Sequence, residues 1–129
     1  MYTNYMRYKS ILFYPELSFR IVGICFKVHN EIGRYAREKQ YSSLIEKYFK
    51  ENKIKYKREL MVGNSGNILD FMIEEKIILE LKAKRIITKE DYIQTQRYLQ
   101  ETQMKLALLI NFRNKYLAPK RIIKIDLKR

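Results

Sequence analysis

Asp70, Glu80 and Lys82 stand inside the most apolar stretch of a 129-residue chain, ILDFMIEEKIILELKAK from Ile68 to Lys84. Charges there need a reason, because a buried charge without a partner is costly. Side chains alternate across a strand. In 77–82, Ile77, Leu79 and Leu81 fall on one face and Ile78, Glu80 and Lys82 on the other. Glu80 and Lys82 then project the same way, roughly 6 to 7 Å apart. In the preceding strand, Leu69, Phe71 and Ile73 share one face, and Ile68, Asp70 and Met72 the other. A three-residue loop, Glu74-Glu75-Lys76, sets Ile73 against Ile77 and Asp70 opposite Glu80, with Cβ atoms roughly 5 Å apart. A two-residue turn at Glu74-Glu75 would set Asp70 against Leu79 and put the acids on opposite faces.

Two carboxylates so close repel, and ionising both in a partly buried place is costly. A divalent cation between them removes the problem. All-oxygen ligands suit Mg²⁺ or Mn²⁺ rather than zinc. The chemistry such a group supports is phosphodiester hydrolysis: water activated by the cation attacks phosphorus, and Lys82 orients it or stabilises charge. A lone Glu-x-Lys reads more simply as an ion pair where a strand leaves the core. The facing Asp, in so apolar a run, tips the balance toward a site.

The elements that must position these residues follow from the pattern. Residues 1 to about 15 read as an irregular arm ended by Pro15, and 16–129 as one domain. Apolar residues at Leu17, Ile21, Ile24, Cys25, Val28 and Ile32 have helical spacing, and Gly33 stops it. A second helix carries Tyr41, Leu44, Ile45, Tyr48 and Phe49 on one face and ends near Asn52. Strands are expected over 54–62, 67–73 and 77–85, with a turn at 63–66. A helix over 88–102 starts at Thr88, a good N-cap with acids in the following turn. The run 106–112 is apolar on both faces, so it reads as a central strand covered by helices. A last strand over 120–127 belongs at an edge. The order α, α, β, β, β, α, β, β describes an α/β domain with a mixed sheet flanked by helices.

Composition narrows the partners. Lys and Arg number 27 against 14 acids, a net charge of +13. That excess favours a polyanion, of which nucleic acid is the commonest. Lys84, Arg85, Arg113, Lys115, Lys120 and Arg121 are the candidate phosphate contacts, or else a solvated basic rim. The one cysteine, Cys25, permits neither an intrachain disulfide nor a cysteine metal cluster, which suits a reducing cytoplasm. No apolar run is long enough to span a bilayer, and no secretion signal is visible.

Other polar residues carry weaker signals. Glu38, in the first turn of the second helix, lies on the side of Tyr41 and Ile45 and is expected to reach the carboxylate pair; alone, it reads better as a dipole-favoured N-terminal acid. Gln94 and Tyr98 share a face of the third helix and either position a phosphate or base, or are a core tyrosine with a bordering glutamine. His29, the only histidine, reads as a helix-end residue at the core edge, Glu59 as a surface residue, and Asn111 as satisfying backbone groups at a strand end.

Together, Asp70 and Glu80-Leu81-Lys82 resemble the signature of the PD-(D/E)xK nuclease superfamily, and Gln94 and Tyr98 the Q-x-x-x-Y element of its RecB-like branch. More narrowly, VHNEIGRYAREKQYSSLIEKYFKE (28–51), the strand pair, QTQRYL, LALLINF and KRI resemble the small bacterial GxxExxY proteins, over about 17 to 125. Tyr35 stands where their namesake glycine would be. The resemblance implies a restriction-endonuclease-like fold of core order α-β-β-β-α-β. It implies Asp70, Glu80 and Glu38 as metal ligands, Lys82 as catalytic lysine, and Gln94 and Tyr98 in support. The expected activity is Mg²⁺-dependent cleavage of DNA. The alternatives are an inactive nucleic-acid-binding or adaptor module on the same fold, and a basic face that docks RNA or an acidic protein. By analogy with enzymes of this size, a homodimer or a partner protein is expected.

Overall fold

The computed structural model describes residues 13–127 except Ser65. Helices α1 (Pro15–Ile32) and α2 (Glu38–Glu51) precede strands β1 (Tyr56–Val62), β2 (Asn67–Ile73) and β3 (Ile77–Lys82). Helix α3 (Lys89–Thr102) and strands β4 (Leu106–Asn111) and β5 (Lys120–Ile123) complete the chain. The five strands lie in sequence order, antiparallel except for β3 beside β4. The parallel pair is joined by α3, as a parallel connection requires. The element order and the mixed sheet are those expected, and they are consistent with a restriction-endonuclease-like fold.

Several boundaries differ from expectation. Pro15 opens α1 rather than only ending the arm, because its fixed φ suits a first helical turn. The rest of the expected arm, 1–12, lies outside the described residues. The third strand stops at Lys82 and the last at Ile123, each short of the expected 85 and 127. Pairing ends both: β4 has no residue beyond Asn111 for β3 to follow, and β5 pairs only as far as Leu106.

The sheet separates two apolar layers. On one side Ile21, Cys25 and Val28 of α1 and Tyr41, Ile45 and Phe49 of α2 pack on Phe71, Ile73, Leu79, Leu81 and Ile110. On the other, Tyr98 and Leu99 of α3 pack on Ile78, Ala107, Leu109 and Ile122. Strand β4 is buried throughout, as its unbroken apolar run predicts. Leu69 departs from strict alternation. Phe71 and Ile73 face α1 and α2, but Leu69 packs with the α3 layer. Next to it, the register of β1 with β2 passes from Arg58↔Phe71 to Leu60↔Leu69 with no pair at Glu59 and Asp70. Glu59 is left-handed there, at φ 55°. The β1–β2 pairing is therefore interrupted at Glu59 and Asp70, within strands that continue past them.

Candidate active site

The β2–β3 hairpin sets the site. Its register is Ile73↔Ile77, Met72↔Ile78 and Phe71↔Leu79, which places Asp70 opposite Glu80 as the three-residue loop predicts. Glu74 and Glu75 are both left-handed, and the Lys76 amide donates to the Ile73 carbonyl at 2.9 Å. Lys76 is the extra residue that fixes the register.

Beyond Phe71↔Leu79 the backbone pairing gives way to the acids. The Asp70 amide donates to Glu80 Oε1 at 2.8 Å, and the Leu81 amide donates to Asp70 Oδ2 at 2.7 Å. Each carboxylate thus binds an amide of the opposite strand with one oxygen. Among the described residues, the second oxygen of each accepts no hydrogen bond. Glu80 is only 3% exposed. Burial pushes the Asp70 carboxyl above its ordinary range; the Leu81 amide opposes this and the Glu38 charge adds to it. Burial pushes Glu80 up further, with the Asp70 charge next in weight. The pair resists carrying two negative charges unaided.

Lys82 leaves β3 on the α3 side. Its Nζ donates to Gln94 Oε1 at 3.2 Å and lies 3.8 Å from Asp91 Oδ1. One turn on, the Tyr98 hydroxyl donates to the Ile68 carbonyl at 3.2 Å, and its ring is almost wholly buried. Burial, then the charges of Glu80 and Asp70, raise its pKa to about 12. Gln94 and Tyr98 therefore flank the acids and the lysine, one holding the ammonium and the other bracing β2.

Asp91 escaped the sequence reading except as a first-turn acid. It is 7% exposed, and Lys84 Nζ donates to its Oδ2 at 2.6 Å. The Thr88 amide donates to the same oxygen at 2.8 Å. Burial works against its charge, but Lys84 and Thr88 outweigh it and the pKa is lowered. The signal was present as Thr88-x-x-Asp91, capping-box spacing, with Asp91 one turn before Gln94. Nothing local shows that the cap also faces two lysines.

Glu38 is exposed at the start of α2. Its charge adds to the upward shift of both acids, yet no group of three Asp, Glu, His or Cys side chains among the described residues is gathered to hold a metal. The expected three-acid set is thus a tight pair with an outlying third. Glu38 is placed by Tyr41, whose hydroxyl donates to the Gly33 carbonyl at 2.6 Å and accepts the Ala36 amide at 3.2 Å. The tyrosine is a buried brace for the loop before α2, stacked on Phe112 with ring centroids 4.3 Å apart.

The basic residues divide. Arg85, Lys115 and Lys120 are exposed, while Lys84 is tied to Asp91. Arg113 donates to the carbonyls of Arg34 at 3.1 Å and Ala83 at 3.3 Å. Arg121 is a correction to a continuous rim. Alternation along β5 turns it with Ile123 toward α1, where it donates to Ser18 Oγ at 2.8 Å and the Phe13 carbonyl at 3.0 Å. Asn111 behaves as expected: its side chain donates to the Lys84 carbonyl at 2.7 Å and accepts the Lys84 amide at 3.1 Å. His29 is buried at the end of α1, its Nε2 2.9 Å from the Asn114 carbonyl. Glu59 is exposed.

Asp70 and Glu80 face each other on adjacent strands, and Lys82 follows two residues after Glu80. The family model of the PD-(D/E)XK nuclease superfamily matches residues 15–124. The chain belongs to that superfamily. Comparison with curated proteins and with solved structures finds no match. Among the described residues, no helix is long and apolar enough to cross a membrane.

Proposed function

We propose that the protein is a divalent-metal-dependent nuclease acting on DNA, with Asp70 and Glu80 as the metal-holding pair. The observation that carries this is the reciprocal clamp: each acid is fixed by an amide of the other strand and keeps one oxygen for a ligand. The oxygen-only donors fit Mg²⁺ or Mn²⁺. The cation supplies Lewis-acid polarisation of phosphate and a lowered pKa for water. Burial and mutual repulsion make the pair hold protons, and a cation bound between the two acids would offset both costs and displace them. Lys82, held by Gln94 and Asp91, carries its ammonium to the scissile phosphate and offsets charge developing there. Glu38 acts as the outer acid, through its field rather than as a third direct ligand. Arg85, Lys115 and Lys120 supply salt-sensitive backbone contacts.

The test is incubation of plasmid and single-stranded DNA with the protein in Mg²⁺ or Mn²⁺. Cleavage lost in Asp70→Asn and in Lys82→Ala supports the assignment. Cleavage that survives both removes it. Salt-sensitive binding with no cleavage in either metal would favour the adaptor reading.

A further inference from the structure

Two loops meet past the end of β3, and their contacts are reciprocal. The Arg34 Nε donates to the Arg113 carbonyl at 2.8 Å, and the Arg113 Nε donates back to the Arg34 carbonyl at 3.1 Å. These bonds join 33–37, which leads into Glu38, to 112–116, which follows β4. Arg113 also reaches the Ala83 carbonyl, one residue past Lys82. The joined loops are thus fixed to the residue after Lys82 at one point and lead into Glu38 at another.

They carry Tyr35 and Tyr116, 75% and 78% exposed. The guanidinium carbons of Arg34 and Arg113 lie 5.0 Å and 5.6 Å from the Tyr35 ring centroid. Lys115 Nζ lies 5.5 Å from the Tyr116 centroid. At 75% exposure most of the Tyr35 ring stays open to solvent, although two cations orient it. A ring left bare beside two guanidinium groups does not serve the core. It matches what an unpaired base needs: a π-face to stack on and cations for its phosphate. A duplex offers no such face, because its bases already stack on one another.

Resting on the nuclease reading, we infer that Tyr35 and Tyr116 form a stacking platform for unpaired nucleobases, so the substrate is a single strand or a single-stranded segment. Tyr35 holds a base beside the strand entering the site, and Arg34 and Arg113 hold the ring and flank the phosphate. Stacking is sequence-tolerant, so the platform selects strandedness rather than sequence.

The experiment is binding of a short labelled DNA single strand by the full chain in EDTA, read by fluorescence anisotropy. Arms are a duplex, an RNA of the same sequence and a strand with abasic sites. Tyr35→Ala is expected to weaken single-strand binding about tenfold, with Tyr35→Phe restoring it because the ring face does the work. Tyr116→Ala should weaken it less. The abasic strand should bind wild type at least as weakly as the intact strand binds Tyr35→Ala, because it forfeits stacking on both tyrosines. The variants are at exposed positions, and a melt equal to wild type separates a lost contact from a lost fold. Tyr35→Ala binding as wild type, or abasic and intact strands binding alike, overturns the platform; tight RNA binding that also depends on Tyr35 supports it. Binding needs no turnover, so the two ideas fail separately. Tyrosine-dependent binding without cleavage sinks the nuclease reading alone, while cleavage with tyrosine-independent binding sinks the platform alone.

Discussion

The two ends of the β2–β3 hairpin share one register and use it differently. At the turn end, Phe71↔Leu79, Met72↔Ile78 and Ile73↔Ile77 form a regular ladder. Phe71 there is fully buried, its ring 5.4 Å from Phe49 and 5.9 Å from Tyr56. At the other end the next pair is Asp70 and Glu80, and side-chain carboxylates replace the backbone partners. The apolar end fixes the register, because a one-residue slip would expose its whole inner face. The polar end inherits that register, and two acids that repel are held together by packing elsewhere. A site of this kind is paid for by its neighbours.

That contrast can be broken at either end. The largest effect should come from Phe71→Ala, which opens a cavity beside the Phe49 and Tyr56 rings and should cost about 3–5 kcal/mol. Urea unfolding would measure it, and cleavage should fall with the folded fraction. Asp70→Asn should do the opposite. Asparagine can still accept the Leu81 amide, so the melt should change little, while cleavage falls at least about a hundredfold, or about 2.7 kcal/mol. Initial rates on a single-stranded substrate would show it. Equal losses of stability in the two variants would mean the ends are not separable.

A third test uses the raised carboxyl pKa values. The folded pair titrates above the unfolded value near 4. Its contribution is fully present below that value and is lost as pH rises through the folded pKa values. Metal-free protein should therefore lose stability from the pair between pH about 4 and neutrality or just above, by about 1–2 kcal/mol. Glu80→Gln should flatten the wild-type slope. Mg²⁺ should raise the wild-type melting temperature more at pH 8 than at pH 5, through preferential binding to the folded, deprotonated pair.

Asp91→Asn should lower the cleavage rate about tenfold, near 1.4 kcal/mol, by loosening Lys82. Its effect should appear in kcat more than in KM, which a steady-state titration separates. The smallest change lies at the turn. Glu75 is left-handed at φ 56°, a conformation that costs a side chain but not glycine. Glu75→Gly should stabilise the hairpin by about 0.5–1 kcal/mol without altering cleavage.

Much of this was legible along the chain. Helix spacing, Gly33, the Thr88 cap and the unbroken 106–112 run each act over a few residues, so pattern suffices to read them. Alternation placed Glu80 and Lys82 on one face, and the loop count placed Asp70 opposite. Where the reading fell short, distant residues decided. Glu38 looks core-facing on its helix, yet it is exposed, because the loop braced by Tyr41 sets where α2 begins. Arg121 looks like its basic neighbours until β5 pairs with β4 and turns it toward Ser18.

The order of amino acids by itself determined a basic α/β domain with an Asp, a Glu and a Lys at strand positions that favour a cation. Periodicity is a local property, and charge count needs no coordinates. Only the tertiary structure decided that the two acids clamp each other's strands, that Asp91 faces both Lys82 and Lys84, and that two loops 79 residues apart lock together under Tyr35. Those contacts join residues far apart in the chain, and which distant groups meet is set by how the layers pack.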